Sequence, residues 1–106
     1  MPQESEMIHI HPTGTVDKDP HTLSKTGNGY PKQVWWVNDD RNNDRHIDFG
    51  GNSPFDAENI VAKKDGTPAG SGKIKDKALG RYPYAAKLPK ETAKDFAADP
   101  EVIIRN

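Results

Sequence analysis

Hydrophobic residues in this chain come in short bursts, and most of the bursts alternate. Ile8 and Ile10 interleave with His9 and His11, and Ile47 and Phe49 interleave with His46 and Asp48. A period of two sends neighbours to opposite faces of a strand, so both stretches are expected as half-buried β-strands. The run from Val34 to Val37 is continuously apolar and reads as a strand too. Further strands are expected at residues 60–63, 73–77, 81–88 and 102–104. Pro83 has no amide to donate, which places its strand at a sheet edge. Turn-formers punctuate the bursts at Pro20, residues 27–29, residues 50–54, residues 66–72 and Pro89, and the glycine-rich 66–72 stretch is expected as a hairpin loop. The helical candidate is residues 90–98. Glu91 sits in its first turn and Ala93, Phe96 and Ala97 can face a sheet, for two turns at most.

Seven or eight short strands separated by turns predict an all-β fold, a two-sheet antiparallel sandwich with at most one short helix. With 106 residues the chain has room for one core, so residues 1–106 are expected to form a single domain. Leu, Ile, Val and Phe make up 18 of the 106 residues, about 17%, below the roughly 20% that accompanies disorder when net charge is high. Net charge is only -1, and two Trp, three Tyr and three Phe supply apolar area, so the chain is expected to fold around a small core.

The near balance of 15 basic and 16 acidic side chains sets up no global field for nucleic acid or anionic lipid. Neither partner is expected. No apolar run approaches the roughly 20 residues of a membrane span, and the first residues carry no basic region, so a soluble chain is expected, as a monomer. The absence of cysteine excludes disulfides and fits a reducing cytosol or an exported protein alike, which leaves the compartment open.

Two stretches carry a family pattern. Trp36, Val37 and Asn38, followed after a polar loop by His46, Ile47, Asp48 and Phe49, resemble the cupredoxin arrangement of a core Trp, an Asn and the first copper-ligand His. Gly80, Arg81, Tyr82, Pro83, Tyr84, Ala85 and Ala86 resemble that family's Gly-aromatic-aromatic-Cys segment, with Ala86 where the copper Cys belongs. Lys87, Leu88 and Pro89 occupy the place of the second His, and no Met follows Met7. Ile103 and Ile104 fit the family's last strand and residues 51–55 its middle loop. The resemblance implies a cupredoxin-like Greek-key β-sandwich. Blue copper needs two imidazoles and a thiolate, so the same resemblance implies a copper-free domain without electron transfer and without a cofactor. Copper-free relatives of this fold use the sandwich as a scaffold, which implies a binding or accessory module for a protein or small-molecule partner.

Candidate binding residues are His46, Asp44 and Trp35. Trp35 and Trp36 point to opposite faces, so one is core and the other is packing or a stacking surface. Asp40, Asn42 and Asp44 copy the first positions of a calcium loop, but Arg45 stands where Gly is needed and Gly51 where Glu is needed, which rejects an EF-hand. Residues 66–73 lack the spacing and the following helix of a phosphate loop. Lys73, Lys75 and Lys77 alternate as edge-protecting charges, or as an anion patch with Lys63 and Lys64. Ser53 lacks the second Gly of a nucleophile elbow and no triad is legible, so the chain is read as a non-enzyme. The reading from a different class is a copper or zinc carrier or sensor using His9, His11 and His46, because His9 and His11 share a strand face at the spacing two imidazoles need.

Overall fold

Alternation in the sequence turns into alternating burial on several strands. In this computed structural model, which describes residues 4–27, 29–57, 59–89 and 100–106, a 3₁₀ turn at Glu4–Glu6 leads into β1 (Met7–Ile10), β2 (His21–Ser24), β3 (Trp35–Asn38), β4 (Arg45–Asp48), β5 (Ile60–Ala62), β6 (Ala69–Gly70), β7 (Gly80–Pro83), β8 (Ala85–Lys87) and β9 (Glu101–Arg105). Ile8 and Ile10 of β1, Arg45 and Ile47 of β4, and Val102 and Ile104 of β9 point inward, and the residues between them are half-buried. The fold is all-β. The expected helix at residues 90–98 lies outside the described residues, and no helix among the described residues is long and apolar enough to cross a membrane.

The strands form three three-stranded sheets, ordered β1-β3-β6, β2-β9-β7 and β5-β4-β8. β1 runs parallel to β3 and β2 parallel to β9, while the other pairs are antiparallel. Only Tyr84 separates β7 from β8. The segment from Gly80 to Lys87 therefore pairs with β9 through its first half and with β4 through its second. Pro83, without an amide, closes β7 at the edge of its sheet, and the Tyr84 amide turns to the Pro100 carbonyl at 2.9 Å.

Trp36 is the centre of the core. It is fully buried and meets Tyr84, Phe55 and Phe49 edge-on at ring separations of 5.5, 6.1 and 6.3 Å. A buried indole removes about 200 Å² from water, worth about 5 kcal/mol as an upper figure. Ile8, Ile10, Leu23, Val34, Val102 and Ile104 close around it with no more than 1% exposure.

The described residues hold nine strands where seven or eight were expected, for local reasons. The 81–88 stretch splits at Tyr84. Residues 73–77 make no strand: Ile74 forms a lone bridge to Phe55, where Pro54 accepts from the Lys75 amide at 2.8 Å but has none to return. The expected hairpin loop at 66–72 contains β6, which pairs with β3 because Gly70 lets the Trp35 ring lie on its backbone; a Cβ there would stand 2.7 Å from the ring.

Candidate binding face on β4

β4 is pinned by Ile47, whose inward side chain fixes the parity of its neighbours. Arg45 shares that parity and is buried, and His46 and Asp48 take the other face. In the pairing of β4 with β8, Ile47 stands opposite Ala86 and His46 opposite Lys87. Directly opposed residues share a face, so His46 and Ala86 point to opposite sides of the sheet. The ligand position that the family resemblance assigns to His46 is thus not beside Ala86. Arg45 is: its Nη1 donates to the Ala86 carbonyl at 3.2 Å and its Nη2 to the Pro12 carbonyl at 2.8 Å.

The buried guanidinium is balanced by buried Asp40, 3.3 Å from Nη2. The Asp40 carboxylate also accepts from the Asn42 amide at 2.9 Å and the Asn43 side chain at 3.3 Å. These bonds, the Asn42 amide first, hold its pKa below the ordinary carboxylate value. Asn38 accepts from the Asp40 amide at 2.8 Å, so the alternating Asn and Asp of this loop are successive Asx turns. Asp44 is occupied likewise: it accepts from the Lys64 amide at 2.9 Å, tying the loop to the β5–β6 connection.

Two hollows border β4 and share part of their lining. One, of about 260 Å³, lies among His46, Asp48, Asn59 and Lys87; the other, of about 280 Å³, has a floor of Phe49, Phe55 and Ala57 and a mouth at Ser53 and Lys75. Ile47, Asp48 and Ile60 line both. Asp48 pairs with Lys87 at 2.7 Å and accepts from the Gly50 amide at 2.7 Å. The Lys87 bond first, and the Gly50 amide second, keep the Asp48 carboxyl below its usual range. Ser53 caps its own turn, accepting from the Phe55 amide at 3.1 Å.

Compared with protein-family models, curated proteins and solved structures, the chain matches none.

The three residues singled out from the sequence do not converge. His46 lines the smaller hollow, Asp44 holds the loop, and Trp35 lies half-buried against Gly70 on the other sheet. The three histidines do not converge either. His9 lies among acids, with Nε2 2.9 Å from Glu4 Oε1 and Nδ1 3.7 Å from Asp39 Oδ2, and its amide donates to Asp17 at 2.8 Å. His11 enters the turn after β1, its amide bonded to the Thr15 carbonyl at 2.8 Å. The ligand atoms brought within 4.8 Å of one another belong to Glu4, His9 and Asp17.

Sequence reasoning missed Arg45, Lys87, Glu4 and Asp17. For Arg45 the signal was present, two residues before Ile47. The other three are placed by strand register and chain return, which one sequence does not display.

Proposed function

We propose that this chain is a copper-free, cupredoxin-like Greek-key β-sandwich that works as a monomeric binding or accessory module and engages a protein or small-molecule partner through the hollows that border β4. The observation that carries the reading is the pair of adjoining hollows that share Ile47, Asp48 and Ile60, with the Asp48–Lys87 ion pair at 2.7 Å on the wall of one. Apolar floor and charged rim together suit a ligand that buries one hydrophobic group while a polar group competes for Asp48 or Lys87.

The strand order supports the sandwich. Taking β7 and β8 as one bent strand joins β2, β9, β4 and β5 into a layer beside β1-β3-β6, so the chain crosses between layers after β1, β2, β3, β5 and β6, as it does in two-layer sandwiches. Arg45 supports the copper-free reading, because a guanidinium has no lone pair to give a metal and sets a positive charge beside Ala86. Partners are expected to be neither nucleic acid nor membrane, and no reaction is assigned to the face.

Selection of random displayed peptides against the folded chain tests this. Peptides that bind and lose about tenfold or more with Asp48→Asn or Lys87→Met support the β4 face; binders indifferent to both substitutions contradict it.

A further inference from the structure

The group around His9 is not an acidic patch but a mixed donor set drawn from three pieces of chain. Glu4 comes from the 3₁₀ turn, His9 from the outward face of β1, and Asp17 from the segment that returns alongside β1 after the Ile10–Val16 bridge. That return is fixed by two backbone-level bonds: the His9 amide donates to Asp17 Oδ1 at 2.8 Å and the Asp17 amide to the His9 carbonyl at 3.1 Å. Lys18 secures the 3₁₀ turn by donating to the Glu4 and Met7 carbonyls. The backbone positions of all three ligand residues are therefore set by the fold.

The second feature is the orientation of the imidazole. Asp39, just beyond β3, brings Oδ2 to 3.7 Å from Nδ1 on the side of the ring away from Glu4. Without an ion the ring donates from Nε2 to the Glu4 carboxylate at 2.9 Å; with Nε2 turned to an ion the ring proton would move to Nδ1, facing Asp39, as in the outer-carboxylate arrangement that orients metal-bound histidines.

We infer that Glu4, His9 and Asp17 form a site for a divalent first-row cation of the zinc type, with Asp39 as the orienting carboxylate. Around a tetrahedral ion with bonds of about 2.0 Å, donors stand about 3.3 Å apart. Here the donor atoms lie within 4.8 Å, and the Glu4 side chain, 70% exposed, is free to adjust. Binding replaces the Glu4–His9 hydrogen bond: Nε2 and a Glu4 oxygen turn to the ion and the ring proton resides on Nδ1, facing Asp39. Three protein ligands leave a fourth position for water or for a donor from another molecule. The inference is independent of the β4 face, and either can fail without the other.

The test is calorimetric titration of the full chain with Zn²⁺, followed on the histidine rings by nitrogen-edited NMR. Saturation at one equivalent with His9 as the shifted ring is expected, with affinity reduced about tenfold or more by Glu4→Gln and by Asp17→Asn and unchanged by His11→Gln. Asp17→Asn keeps an acceptor for the His9 amide, so an unaltered far-ultraviolet spectrum separates lost ligation from lost folding. Binding that survives both substitutions, binding that follows His11, or the absence of saturable shifts would overturn the assignment. Equal affinity for Ca²⁺ would also overturn it, since an oxygen-seeking ion has no use for the imidazole.

Discussion

Arg45 and Ala86 face the same interior across the β4–β8 pair, and the Arg45 guanidinium donates to the Ala86 carbonyl at 3.2 Å. A cation thus lies against the backbone of the residue that the family resemblance aligns with a copper Cys. His46, the residue that the family pattern nominates, lies behind the sheet. Ala86→Cys in the presence of Cu²⁺ is therefore expected to gain no thiolate–copper absorption in the visible range. An intense band on titration would contradict this placement.

Arg45 also holds the 38–45 loop by neutralising Asp40. Arg45→Met is expected to destabilise the fold by about 3 kcal/mol, because it strands a carboxylate in a buried place. Adding Asp40→Asn should restore part of that loss, a coupling that urea denaturation of the single and double variants measures.

Trp35 packs on a backbone that has no side chain. A Cβ at residue 70 would stand 2.7 Å from the ring, so Gly70→Ala is expected to cost about 1–2 kcal/mol. Trp35→Leu should suppress that cost. If Gly70→Ala is equally harmful with Leu at 35, the overlap is not its cause; thermal denaturation of the four proteins decides.

The chain's acid sensitivity is expected to involve His21. The residue is 8% exposed and, among the described residues, its Nε2 has no hydrogen-bond partner. Burial first, and Lys18 second, hold its pKa below the ordinary imidazole value, against a smaller opposing effect of Asp17. The unfolded chain therefore binds more protons than the folded one once pH drops below about 6.5, so stability falls from there and levels off below the lowered folded value. His21→Gln should flatten this dependence. Urea midpoints at about pH 7.5 and about pH 5.5 check it, and an unchanged slope in the variant would assign the sensitivity elsewhere.

Much of the fold was legible because its signal is local. The Ile8–Ile10 and Ile47–Phe49 alternations and the Val102–Ile104 burst each mark a strand that forms. β2 was not legible, since His21–Ser24 carries a single aliphatic residue and owes its conformation to parallel pairing with β9, whose residues lie about eighty positions away in sequence. β6 was hidden for a related reason: two residues, one a glycine, form a strand only because β3 offers an edge and Trp35 a ring. At the site, parity with Ile47 already separates Arg45 from His46, and the resemblance to a ligand pattern obscured it. The Asp48–Lys87 pair and the gathering of Glu4, Asp17 and Asp39 around His9 depend on register and chain return, and no spacing in the sequence encodes them.

The most direct test of the β4 face is a backbone and side-chain NMR titration of the chain with a library of small fragments, each carrying an apolar ring and an ionisable group. Shifts that saturate and cluster at His46, Asp48, Phe49, Lys75 and Lys87 are the expected result. Shifts that cluster on the Trp35 side of the other sheet, or none that saturate across the library, would contradict the assignment of that face.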